Sequence, residues 1–520
     1  MGRFVISVAL GLISAPLILN ALGFVDYGLV TALAATGPLM ALLTHGLGRS
    51  AERHMAVAIG RGDSDALRSV FQTALLIYAS FGGVLLSGGL AIEPLVFAAL
   101  TIPEDRFAAS QWVYRLMIFG LSLQTITVSY RSMLVAQQNV MFKSVLDVTV
   151  QAITVVFIAM LFLVQSDRMV FYAGAMFAVQ VAGTAATIGY VCKRYPEGRP
   201  GFRRASLGQL RELATFAGWT IVGIAAKLGR LQVSIMILNV LAGPVVNAAL
   251  ALATRLAVVL ERGNSALIFA IQPAITSVDA SGNRLATRKL ALAGSKIPNL
   301  VITVIALPVM TDAETLLSLW LGEYPALTPA FARMLIIAAW LNTFSLGHQH
   351  AFFAKGRIAI NSSTDFALLA VMLTVASLGI VSGGGYWLVP GAIMLHSAVM
   401  SLLVRPVLLA GVADIETSVW IRSVALPLLA VGGIQGGSGL LLATELQATP
   451  WRLLLAVVVS TVVTGVAGWS VALSGEERHL IKRFLNQAKS RLSRARASSV
   501  IDARSNPSNP DYDPASPSQD

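Results

Sequence analysis

Fourteen runs of about twenty predominantly apolar residues follow one another along the chain. They lie near 4–24, 28–48, 68–90, 112–135, 145–166, 169–192, 213–241, 244–273, 294–311, 327–350, 358–382, 386–409, 419–443 and 451–473. A run of that length spans a bilayer as a helix, because lipid offers the backbone no hydrogen-bond partner outside its own coil. The pattern predicts an all-α polytopic membrane protein of about 14 transmembrane helices. Composition agrees: 56% of the residues are hydrophobic and only 12% charged, against about 25% charged in a soluble domain. The N-terminal stretch MGRFVISVALGLISAPLILN has Arg3 before an apolar run but no small-residue cleavage site, so it reads as the first span, not a leader.

The basic residues orient the spans. With the N-terminus in the cytoplasm, 29 of the 38 Lys and Arg residues fall on the cytoplasmic side, with Lys296 and Arg405 assigned to loops there. The other side holds Arg106, Arg115, Arg168 and Arg452, together with Glu93, Glu104, Asp105, Asp312, Glu314 and Glu323. This asymmetry supports an even number of spans with both ends inside. A net charge of +12 then belongs to the loops and does not argue for nucleic acid. The single cysteine, Cys192, allows neither a disulfide framework nor a cysteine metal site.

An internal repeat organises the spans. Ile18–Leu22 (ILNAL) recurs as Ile237–Leu241 (ILNVL), and Gly23 or Gly243 follows closely. Arg61–Arg68 faces Ser281–Arg288 at an offset of 220, and Ala136 and Asp147 face Ala354 and Asp365 at 218. Span 1 maps onto span 7, so the copies insert the same way round, as two six-helix lobes in a parallel repeat. The expected divisions are an N-terminal lobe at 1–192, a basic cytoplasmic linker at 193–212 and a C-terminal lobe at 213–409. Spans 13–14 occupy 410–474. Residues 475–497 read as an amphipathic basic helix on an anionic lipid surface, and 498–520 as a disordered tail.

Several stretches resemble the polysaccharide-flippase branch of the multidrug/oligosaccharidyl-lipid/polysaccharide exporter superfamily. They are LGFVDYGLVTAL at 22–33, LLSLWLGEY at 316–324, Pro273 before a polar loop, and Ala354-Lys-Gly-Arg357. The resemblance covers about residues 4–409 and rests on the arrangement more than on any one motif. The chain departs from the pattern in a very short N-terminus and in Thr44-His-Gly-Leu-Gly, where relatives often have an acidic residue near His45. The resemblance implies a bacterial inner-membrane flippase. It would carry an undecaprenyl-pyrophosphate-linked oligosaccharide from the cytoplasmic to the periplasmic leaflet by alternating access. Polysaccharide polymerase machinery would be a partner.

The residues themselves point the same way. Lys227 and Arg230 lie three apart inside span 7, and Arg255 and Arg262 seven apart in span 8, each pair on one helix face. A charge at the bilayer centre costs at least about 2.5–3.5 kcal/mol, so it usually faces a polar interior. No mid-span acid is available to neutralise all four, and an unbalanced cationic cluster suits an anion such as a pyrophosphate. Other readings stay open: span 7 breaking near Lys227 with its cations snorkelling, and Arg262 pairing with Glu261. His45 and Gln124 are candidate cavity-lining residues, with helix–helix hydrogen bonding as the alternative. Arg333 reads as an interface anchor. His348 and His350 are two apart, on different helix faces, so they do not form a metal pair. No P-loop is present, so no ATP-driven pump or other cofactor is expected. A drug or metabolite antiporter on the same fold is the competing function. A membrane polymerase, an enzyme, would want larger outer loops than these.

Overall fold

The computed structural model describes residues 2–35, 51–52, 54–201, 232–261, 283–354, 358–413 and 415–479, together with 263, 275 and 278. Every regular element among them is a helix. In chain order they are α1 (Gly2–Ala34), α2 (Ser64–Ala91), α3 (Glu93–Ala99), α4 (Phe107–Ala136), α5 (Val140–Met160) and α6 (Arg168–Arg194). A helix over Gln232–Glu261, α7, follows. Then come α8 (Arg284–Thr311), α9 (Ala313–Leu321), α10 (Thr328–Thr343), α11 (Leu346–Ala354), α12 (Ile358–Val381) and α13 (Leu388–Val399). A π-helical turn at Met400–Val404 leads α13 into α14 (Arg405–Ala413). The last two, α15 (Thr417–Glu445) and α16 (Pro450–Ala472), correspond to spans 13 and 14.

Ten described helices are long and apolar enough to cross a membrane, and the α10–α11 pair, bent by 54°, makes an eleventh. Helix α4 has the length but is more polar. The rest of the fourteen-span count rests on segments near 36–50, 202–231 and 264–282, which lie outside the described residues, as do most of the linker, the basic helix and the tail.

The repeat is visible in local chemistry. Gly23 interrupts α1 at φ 78° and ψ 175°, and Gly243 interrupts α7 at φ 80°, 220 residues on. Positive φ is available to glycine without a Cβ clash, so span 1 turns into span 2, and span 7 into span 8, without an intervening loop. Asp63 caps α2 by accepting from Ala66 N at 2.8 Å, and Asn283 caps α8 from Ala286 N at 3.1 Å. Both helices then run for 28 residues. A short helix follows each, and an acid in its first turn pairs with the next long helix: Glu93 with Arg115 at 2.8 Å, Glu314 with Arg333. Arg333 is thus an ion-pair partner that also donates to Met310 O.

Helix α2 packs on α4 and α4 on α6, while α1 lies against α5. In the second half α10, α12 and α13 pack together, and α8 lies against α11. One apolar cluster joins the halves: Ala15, Ile18, Leu19 and Tyr27 of α1 pack with Ala248, Ala251 and Leu252 of α7 and with Leu317 and Leu321 of α9. Polar bonds cross the same seam. Asn247 Nδ2 donates to Gly28 O at 2.8 Å, Thr101 N to Asn239 Oδ1 at 3.2 Å, and Trp320 Nε1 to Leu12 O at 2.8 Å.

Helices α15 and α16 are pinned to the second half along the length of α8. Arg452 binds Asp312, which is only 2% exposed. Ser460 Oγ donates to Val304 O at 2.9 Å, and at the far end Lys296 meets Glu477 at 2.8 Å and Lys289 meets Glu476 at 2.7 Å. Lys296 therefore does not belong to a loop: it sits nearly halfway along α8, 4% exposed, paired with the segment after α16. It lies just inside the edge of span 9 and was tallied with the nearest loop, but α8 begins ten residues before that apolar run. Removing Arg452 strands a buried carboxylate, which typically costs about 3–5 kcal/mol. Arg452→Met should lower the thermal midpoint in detergent, followed by tryptophan fluorescence, and Arg452→Met with Asp312→Leu should recover most of the loss. A single variant as stable as the parent refutes this account of the pinning.

Candidate site: a guanidinium at the seam between the halves

Of the four basic residues singled out within spans 7 and 8, Arg255 is described; Lys227, Arg230 and Arg262 lie outside the described residues, as does His45. Arg255 is half-buried on α7, twelve residues beyond the break at Gly243, or about 18 Å of helix. Its Nη1 donates to Ser14 Oγ at 3.5 Å, and Ser14 lies nine residues before the break at Gly23, about 14 Å. The two helical rulers agree: the guanidinium is near mid-depth of a hydrocarbon core about 30 Å thick.

Its described surroundings do not neutralise it. The guanidinium carbon stands 5.8 Å from the ring centroid of Tyr27, a cation–π arrangement. No carboxylate among the described residues lies within ion-pair distance of it. The other buried cations differ. Arg405, 5% exposed, donates to Asp365 at 3.1 Å, Asn361 at 3.2 Å and Ser345 at 3.3 Å, and His396 Nε2 lies 3.1 Å from the Asp365 carbonyl. Arg405 is thus a second cation misassigned to a loop: the π-helical turn carries it into the helix stack, where Asp365 claims it. Asp147 lies 3.5 Å from Lys143 and 4.0 Å from Arg131. Both aspartates bind basic neighbours.

Gln124 is exposed on α4 and makes no hydrogen bond among the described residues. His348 is fully buried beside Trp420, its ring nitrogens without hydrogen-bond partners. Among the described residues no group of His, Cys, Asp and Glu could hold a metal.

Away from the seam, on the acid-rich face, a cavity of about 700 Å³ is lined by Asp26, Arg106, Gln165, Ser166, Asp167 and Arg168. Arg106 bridges Asp26 and Asp167, and its pKa is pushed further up, first by the hydrogen bond to Asp26 and then by the neighbouring carboxylates, against burial. This cluster ties the break in α1 to the start of α6, and its charges already satisfy one another.

Sequence reasoning found Arg255 by its charge but missed Ser14, Tyr27 and Asn247. Tyr27 stands in the LGFVDYGLVTAL stretch at 22–33, whose glycines announce a break and not a contact.

A family described as polysaccharide biosynthesis protein matches residues 4–278. Among solved structures, an inward-facing multidrug resistance MATE family transporter of the MOP superfamily is similar at a TM-score of 0.67, with 14% identity over 77% of this chain and 94% of that one. The lipid II flippase MurJ, in an inward closed conformation, is similar at 0.64, with 11% identity over 90% and 97%. A MOP superfamily transporter from Pyrococcus furiosus Vc1, described as having a pocket of reversed polarity that suggests a different function, is similar at 0.54, with 15% identity over 78% and 96%. No curated protein matches the chain.

Proposed function

This chain belongs to the polysaccharide biosynthesis protein family, a multi-pass membrane transporter or flippase of the MOP fold, and we propose on that premise that it flips a polyprenyl-pyrophosphate-linked oligosaccharide. The observation that carries the reading is Arg255, a guanidinium near mid-depth, at the seam of two halves, with no carboxylate among the described residues to neutralise it. A buried cation left uncompensated is expensive, and a planar guanidinium binds phosphate oxygens bidentately. Lys227, Arg230 and Arg262 are proposed to add to the same cationic surface.

By the positive-inside rule the face bearing Lys143, Lys193, Arg194 and Lys289 is cytoplasmic, and the face bearing Glu93, Asp105 and Glu314 periplasmic. Both termini are then cytoplasmic, in a bacterial inner membrane. The headgroup enters from the basic face, is held by Arg255, and leaves when the acid-rich face opens. The membrane potential favours outward movement of an anion by about 2.3 kcal/mol per charge per 100 mV. The basic segment at 475–497 would rest on anionic lipid, and polysaccharide polymerase machinery would consume the flipped product. An antiporter for cationic drugs would want free membrane-embedded carboxylates, and Asp147 and Asp365 are both occupied by basic partners.

Arg255→Gln removes the bidentate donor but preserves a polar side chain. It should insert normally and reduce transport of a lipid-linked oligosaccharide into proteoliposomes by about tenfold to a hundredfold, the worth of one charged hydrogen-bonding group. In cells it should block surface polysaccharide and leave precursor in the inner leaflet. Full transport by Arg255→Gln would refute the assignment, and unchanged polysaccharide with altered drug sensitivity would favour the antiporter.

A further inference from the structure

Both contacts described for Arg255 come from the other half of the molecule. The guanidinium is carried by α7, whereas Ser14 and Tyr27 belong to α1. Tyr27 is 1% exposed, and its hydroxyl has no hydrogen-bond partner. A buried tyrosine normally finds one, so the phenol oxygen contributes no bond to this packing, and the ring face is what meets the cation. The next residue, Gly28, sits where α1 crosses α7: a Cβ there would overlap the Pro244 carbonyl oxygen, and Asn247 donates to Gly28 O. The ring is therefore set by the same crossing that closes the seam.

We propose that Tyr27 is the positioning residue for Arg255, presenting the guanidinium to a pyrophosphate only while α1 and α7 are closed on one another. This deepens the proposed function and rests on Arg255 being the anion site. The ring neutralises part of the cation's desolvation cost without supplying a carboxylate that would compete with the substrate. When the crossing at Gly28 opens, α1 takes the ring away and Arg255 loses its support, so the anion is gripped in one state and released in the other. A ligand whose affinity differs between two states in this way shifts their populations.

The test titrates farnesyl pyrophosphate into the purified full-length protein in nanodiscs by calorimetry. Tyr27→Phe retains the ring and loses only an unbonded hydroxyl; it should bind within about twofold of the parent. Tyr27→Leu removes the ring and should bind about tenfold more weakly, in line with a desolvated cation–π contact. In an Arg255→Gln background Tyr27→Leu should add less than about twofold, since it acts through the guanidinium. Fluorinated phenylalanines at position 27 keep the shape and weaken the ring quadrupole, so affinity should fall with each fluorine even if Tyr27→Leu folds poorly. Parent-like binding by Tyr27→Leu, equal losses in Tyr27→Phe and Tyr27→Leu, or a flat fluorine series overturns the positioning role while leaving Arg255 as the anion site. Parent-like binding by Arg255→Gln instead sinks the anion site itself.

Discussion

Gly28→Val should abolish transport and hold the acid-rich face open. The contact that predicts this is between backbones. A Cβ at position 28 would overlap the carbonyl oxygen of Pro244 and lie 3.0 Å from its Cα. Neither atom can swing away as a side-chain end can. Pro244 follows the left-handed Gly243, so its carbonyl direction is fixed by a proline φ and by the break in α7. The bonds from Asn247 to Gly28 O and to Thr31 Oγ1, at 2.8 and 3.3 Å, depend on the same approach. Overpacking a tight contact typically costs about 1–3 kcal/mol, and here the cost falls only on the state in which the helices touch. That shifts the closed-to-open ratio by about fivefold to 150-fold, enough to empty a closed state favoured by a few kcal/mol. Nitroxides on Glu104→Cys and Glu323→Cys, in a Cys192→Ser background, report the opening as a longer interspin distance. Gly11→Ala is the matched control, because nothing lies within 4 Å of that position. Parent-like distances and transport in Gly28→Val would mean that the crossing does not govern opening.

The fold was legible where the signal is local. Apolar run length predicted the spans because lipid enforces backbone satisfaction within each helix. The repeat was legible because glycine and cap residues are read from a few neighbours: Gly23 with Gly243, Asp63 with Asn283. Arg255 was legible because a charge inside an apolar run is costly wherever it lands. Its partners were not, since Ser14 and Tyr27 are 241 and 228 residues away in sequence and only packing brings them together. Lys296 and Arg405 failed for a related reason. Hydropathy marks an apolar run and not what packs against it: both cations lie just inside the edges of spans 9 and 12, on helix packed into protein, where Glu477 and Asp365 pair with them.

The buried network around Arg405 gives an expected effect on stability as large as that at Arg452. Arg405→Met should lower the unfolding free energy by about 3–5 kcal/mol, the usual result of stranding one member of a buried ion pair. The guanidinium serves Asp365 and Asn361 of α12, Ser345 in the turn between α10 and α11, and Ser401 of the π-helical turn together, so its loss takes a donor from all four. Arg405→Lys should fall between, because an ammonium cannot fork across Asp365 and Asn361, one turn apart on α12. The double variant Arg405→Met with Asp365→Asn removes both charges and should recover at least half of the loss, whereas Asp365→Asn alone leaves a buried cation and should be destabilising by a similar amount. Thermal unfolding in detergent, read by tryptophan fluorescence, gives all four values as a cycle whose interaction energy isolates the pair. Additive single effects would show that Arg405 and Asp365 do not stabilise one another. A strongly non-additive cycle with transport intact in the double variant separates this cation from Arg255: one neutralised to hold its half of the molecule together, the other unpaired with any described carboxylate and proposed to hold a ligand.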